Sequence, residues 1–213
     1  MTTREKAAIM TESAPTSPKP AAQNEFASSH AVRAKDRLSM AVILSLASLA
    51  WFGWGHQGAQ IEGWLRLGMG AAALMLVAAI VMVRRVPVPP TLATDPRARK
   101  IYWSAVVVEV VLILLGVFVL SGTGNAVYTS TWVLFVVGVH FLPFVRPFSA
   151  PILRYTALGC VVAAAVALWA GLAGWAPAPT IAGAGEGSLL GSALVLAVTA
   201  KRHVVSAPSS AAS

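Results

Sequence analysis

Two ionisable side chains stand inside long apolar stretches of this 213-residue sequence. Glu109 lies in Val106-Val107-Val108-Glu109-Val110-Val111, and His140 in Val136-Val137-Gly138-Val139-His140-Phe141. A charge at the centre of an apolar helix costs roughly 2.5–3.5 kcal/mol on insertion scales, so a residue of this kind marks either a function or a specific partner. The spacing points to a partner. Gly124 sits in a short polar turn between the two stretches, with Glu109 15 residues before it and His140 16 residues after it. In an antiparallel helical hairpin the two side chains stand at similar heights. A carboxylate and an imidazole at one height can hold, share or pass a proton near neutral pH. Two readings follow: a polar clasp between helices, or a proton-linked or ligand-binding site. Steps of three and four residues put Tyr102, Ala105, Leu112 and Gly116 on the face of Glu109. The same steps put Val133, Val136 and Phe144 on the face of His140.

Three further residues stand near the ends of apolar runs. Arg154 is either a side chain that snorkels to the inner headgroups or a third partner for Glu109. Glu186, near the outer end of the last run, reads as interfacial. Pro143 has no amide hydrogen and frees a carbonyl one turn earlier, so it either kinks the helix beside His140 or ends it. The stretch Val137-Gly138-Val139-His140-Phe141-Leu142-Pro143-Phe144 resembles a Gly-x-His-Phe-x-Pro motif of small multi-span bacterial integral membrane proteins. The resemblance implies no activity. It implies that His140 and Pro143 belong to one local device.

Many chemistries have no matching residues. A haem held by two intramembrane histidines is not supported, since His140 alone lies deep in an apolar run. HExxH and GxSxG are missing, and Gly183, Gly185 and Gly187 lack the lysine of a phosphate loop. Cys160 is the single cysteine, which excludes an intramolecular disulfide and a CxxC site. No catalytic set, metal site or cofactor site is expected. Gly183, Gly187 and Gly191 recur every four residues, which on one continuous helix makes a stripe for close helix packing.

The elements that must position these residues come from composition. The chain is 57% hydrophobic and 11% charged, with a mean hydropathy of +0.72. Soluble domains carry about 25% charged residues. Six apolar runs approach or reach the roughly 20 residues that cross a bilayer: Leu38–Gly55, Trp64–Val83, Ile101–Ser121, Val127–Val145, Ile152–Trp175 and Thr180–Ala200. Within lipid each must be helical, because a lone strand leaves its amides unpaired. The expected fold is all-α, a polytopic transmembrane bundle of six spans arranged as three antiparallel hairpins. Residues 1–37 are polar, basic and rich in Ala, Ser, Thr and Pro, and are expected to be a disordered cytoplasmic tail. The transmembrane domain is expected over 38–202, and 203–213 reads as a second disordered tail. The 37 residues before the first run are too long for a usual signal-peptide n-region, so that run is expected to be an uncleaved span.

Orientation follows from Lys and Arg. In the six-span arrangement 15 of the 16 basic residues fall on one side and only Arg66 on the other, which puts both termini in the cytoplasm. The net charge of +8 suits anionic headgroups. No basic-aromatic platform for nucleic acid is present in the pattern. The sequence thus reads as a multi-pass protein of a bacterial cytoplasmic membrane, with lipid as its first partner and a second copy or another membrane protein as a further one. Its function reads as either a small ion- or proton-coupled transporter or a non-catalytic subunit, scaffold or sensor partner.

Overall fold

The computed structural model describes residues 20–55, 62–175, 178–185 and 187–205, and among these every regular element is a helix. Helix α1 spans Pro20–Gly55, α2 Glu62–Arg84, the one-turn α3 Thr91–Thr94 and α4 Pro96–Gly122. A 3₁₀ turn at Ala126–Tyr128 leads into α5, Thr129–His140, and a second at Leu142–Phe144 follows it. Helices α6, Ile152–Leu172, α7, Ala178–Gly185, and α8, Gly187–Val205, complete the order. Five of the described helical segments are long and apolar enough to cross a membrane.

The interior is built from small residues. Ala34, Ala41, Ala157, Ala167, Ala193 and Ala200 are buried, whereas Leu67, Leu74, Phe118, Leu158 and Leu172 are exposed. Water-soluble helices do the reverse. When the surroundings are as apolar as leucine, large side chains gain little by turning inward, and small ones let helices approach closely. Helix α1 packs along α2, α7 and α8, and α6 packs along α5, α7 and α8. Helix α4 stands at the edge, and its chief long neighbour is α5. Four buried hydroxyls within this core find partners. Ser45 and Ser48 donate to the carbonyls of Ala41 and Leu44 one turn back, and the Thr156 Oγ1 to Ser192 Oγ distance of 2.7 Å joins α6 to α8.

Helix α1 corrects the expectation of disorder up to residue 37. It is helical from Pro20, and Ala34 and Asp36 are buried. Two adjacent charges of opposite sign explain the ordering. Lys35 Nζ donates to the carbonyls of Val83 (2.7 Å) and Val86 (2.9 Å) at the end of α2. Asp36 accepts from the Thr91 amide at 2.8 Å and from the Thr91 hydroxyl, holding the first turn of α3. Lysine at a helix C-terminus and aspartate at an N-terminus each satisfy groups that helix geometry leaves open. The two residues together fasten both ends of the 87–90 connection to α1.

The described part of the sixth apolar run comprises α7 and α8, and Glu186 lies outside the described residues. The expected stripe of Gly183, Gly187 and Gly191 is not packed along its length. A Cβ on Gly183 would lie 2.7 Å from the Gly55 Cα, so α1 and α7 touch backbone to backbone there. Gly187 and Gly191 are exposed, with nothing within 4 Å of a built Cβ. A four-residue period aligns small residues, but whether each meets a neighbour depends on what packs beside it, and of these three Gly183 alone makes a close approach.

Replacing Gly183 with leucine should therefore destabilise the protein by about 1–3 kcal/mol, the usual range for forcing extra atoms into a packed contact. Gly187→Leu and Gly191→Leu should melt close to the parent. Thermal unfolding of the purified protein in detergent decides this, and an equal loss at all three positions would restore the continuous stripe.

Candidate functional site

Helix α4 is long enough to cross a membrane and has the highest mean hydropathy of the five such segments, and Glu109 is its central residue, with 13 helical residues on either side. The helix starts before the expected Ile101 because Asp95 accepts from the Arg97 amide and Pro96 occupies the first turn. At 1.5 Å per residue Glu109 stands about 20 Å from each end of the helix. Opposite it, α5 ends at His140, and the chain passes through the 3₁₀ turn that holds Pro143. Pro143 thus ends the helix rather than kinking it.

The two side chains meet. His140 Nδ1 lies 3.4 Å from Glu109 Oε2, with the histidine side chain 10% and the glutamate side chain 19% exposed. The separation is of ion-pair length without hydrogen-bond geometry, and Nδ1 has no hydrogen-bond partner. The Ala105 backbone meets the same ring one turn before Glu109. Towards the N-terminal end of α4, the edge of His140 packs on Phe144 at 4.6 Å between centroids, and Phe144 stacks on Tyr102 at 5.5 Å. Towards its C-terminal end, Trp132 Nε1 donates to the Leu112 carbonyl at 2.9 Å. That indole fits only because residue 116 is glycine, where a Cβ would fall 1.9 Å from Nε1. Tyr102, Ala105, Glu109, Leu112 and Gly116 on α4 thus oppose Phe144, His140 and Trp132.

Trp132 is a member of the seam that the steps counted from His140 left out, and tryptophan as a type favours the headgroup zone. Its signal was present, because it lies two four-residue steps before His140 and so shares its face. Arg154 does not join the pair. It is exposed at the start of α6 and does not line the space around Glu109, so the reading of it as a third partner is set aside.

Beside the pair is a cleft of about 300 Å³, lined by Ala105, Leu112, Phe135, Val139 and Pro143 as well as Glu109 and His140. Phe135, Val139 and Pro143 are exposed, so the cleft opens on the outer surface of the bundle. The chemistry on offer is one carboxyl and one imidazole in an apolar wall. Such a pair can bind a proton in either of two places and can accept from or donate to a polar group in the cleft.

Glu109→Gln and His140→Ala should be non-additive in a double-mutant cycle of stability, with a coupling on the order of 0.5–2 kcal/mol. Removing one partner leaves the other without its ion-pair contact at depth, so the second substitution costs less than the first. Additivity within error would mean that the two groups are neighbours without interaction. Family models, curated proteins and solved structures give no match to this chain, so what the site does is argued from its own residues.

Proposed function

We propose that the chain is a six-span protein of the bacterial cytoplasmic membrane in which Glu109 and His140 form the proton-loading site of a small ion-coupled transporter. The observation that carries this reading is the 3.4 Å approach of a carboxylate and an imidazole at the midpoint of the predominantly apolar helix α4, next to a cleft. A proton held there is far from either end of α4. Protonating and deprotonating such a pair changes its charge within an apolar wall, which is the kind of event that drives a helix to shift. Helix α4, seated chiefly against α5, is the element free to respond. In this reading α7 and α8 together make the sixth crossing, and the three-hairpin topology has both termini inside.

The direct test needs no known cargo. Proteoliposomes adsorbed on a sensor electrode and stepped to acid pH should show a transient inward charge displacement with the parent protein. Glu109→Gln should abolish it, and Arg154→Gln should retain it. A parent protein that moves no charge removes the transporter reading.

A second reading is that the pair is a clasp in a non-catalytic membrane subunit. What favours it is that the pair sits on the seam joining α4 to α5. Under that reading Glu109→Gln lowers thermal stability while the parent shows no charge displacement.

Topology is tested separately with reporter fusions in cells. Fusions after Gly124 and Gly58 should report the outside, and fusions after Pro90, Ser149 and Ser206 the inside. A cytoplasmic signal from Gly124 would overturn the six-span arrangement.

A further inference from the structure

We infer that the Glu109–His140 site takes a lipid-soluble molecule with one hydrogen-bonding head, a hydroxyl or carbonyl on about one ring, which enters sideways from the bilayer. This rests on the proposed role of the pair as the polar centre of the site. Three observations carry it.

The first is where the cleft opens. Its mouth is framed by Phe135, Val139 and Pro143 on the outer surface of α5 and the turn after it, and Val108 on α4 is exposed beside them. A site for a water-soluble cargo opens to an aqueous end of the bundle. This one opens through apolar side chains, halfway along α4. A molecule that reaches it has to be dissolved in the lipid.

The second is that a further space adjoins the cleft. A larger space of about 440 Å³ lies along the outer half of α5, between Leu120 on α4 and Val161, Ala164 and Leu168 on α6. Trp132 and Phe135 line both spaces, so these two rings stand between them, and a ligand that spans both passes over them. The inner space has the size of a head group, since about 150 Å³ suffices for a benzene ring. The outer one has the length and the apolar walls of a tail channel. A drug-sized ligand occupies about 300–1,000 Å³.

The third is the placement of polar atoms. Tyr128 and Thr131 are the residues with hydroxyls in the outer space. Thr131 is 94% buried by its 6% exposure, and its Oγ1 has no hydrogen-bond partner. In the inner space the polar groups are Glu109 and His140, and Nδ1 is likewise without a hydrogen bond. A purely apolar occupant, such as an acyl chain, leaves the inner Nδ1 without a hydrogen bond. A head with a hydroxyl or carbonyl gives the carboxylate a donor or the imidazole an acceptor, and desolvated hydrogen bonds of this kind are what make such sites selective.

The test uses the full-length protein in lipid nanodiscs, with decyl-hydroquinone as probe, decylbenzene as the same tail without the head, and phosphatidylglycerol as a bilayer lipid. Thermal unfolding should rise with decyl-hydroquinone in a saturable way and respond at least tenfold more weakly to decylbenzene. Glu109→Gln and His140→Ala should each erase that preference. Ala165→Phe, which narrows the outer space from an exposed position, should weaken both probes while leaving the unliganded protein stable. Equal responses to the headed and headless probes, a larger response to phosphatidylglycerol, or an unaltered preference in Glu109→Gln would each overturn the assignment. The acid-step charge displacement separates this from the proton reading. A protein that moves charge through Glu109 and ignores decyl-hydroquinone keeps its proton site and loses this ligand class. A protein that binds the probe through Glu109 and moves no charge keeps the ligand and loses the transport role.

Discussion

A polar atom carried into an apolar surround has to find its partner inside the chain, and much of this fold follows from that constraint. It makes each long segment helical. It turns Ser45 and Ser48 back on their own helix and pairs Thr156 with Ser192 across two helices. It seats the Trp132 indole on the Leu112 carbonyl. It also brings Glu109 and His140 together, although 31 residues separate them along the chain. The same constraint gives meaning to the three buried atoms of α5 that make no hydrogen bond, the Ser130 and Thr131 hydroxyls and His140 Nδ1, of which the last has its ion-pair contact with Glu109.

The helices that obey this rule are not equal in their packing. Helix α1 touches α2, α7 and α8 through small residues and closes on α7 at a glycine-to-glycine contact. It is the spine of one side. Helices α5 and α6 approach closely at Gly138, where a Cβ would fall 2.8 Å from the Cys160 Cβ. Helix α4 has one main seam, and that seam contains an ion pair, two stacked rings and an indole on a carbonyl. Polar and aromatic contacts have directions, whereas alanine packing is broad. A seam built from a few directional contacts has a small number of discrete arrangements, and this is where a titrating pair has most influence.

How much of this was legible in the sequence depended on range. The Glu109–His140 approach was legible because one short turn fixes the register of two helices, so that counting from Gly124 sufficed. The membership of Tyr102 and Phe144 followed from helical steps. The order of α1 was not legible, because the composition of residues 20–37 reads as solvated and the groups that hold Lys35 and Asp36 lie 48 to 55 residues away. The glycine stripe was only partly legible for a different reason. Periodicity groups residues without naming the neighbour each will meet, and Gly183 faces Gly55 whereas Gly187 and Gly191 have open space beside them. Trp132 was hidden by the general preference of tryptophan for headgroups, and the deciding fact was the empty side of Gly116 across the seam.

The fastening of the connection between α2 and α3 by Lys35 and Asp36 has a mechanical consequence. A slide of α1 by one residue, about 1.5 Å, would misalign the lysine from the end of α2 and the aspartate from α3 at once. Helices α1 and α2 are therefore locked in axial phase, and α3 travels with them. The lock ends at Asp95, a single residue in extended backbone between α3 and α4. Beyond it α4 is anchored at its N-terminal end and gripped along one side, like a pendulum hung from a fixed bracket. Its swing would be measured from Asp95, and Glu109, halfway along, would move about half as far as the outer tip.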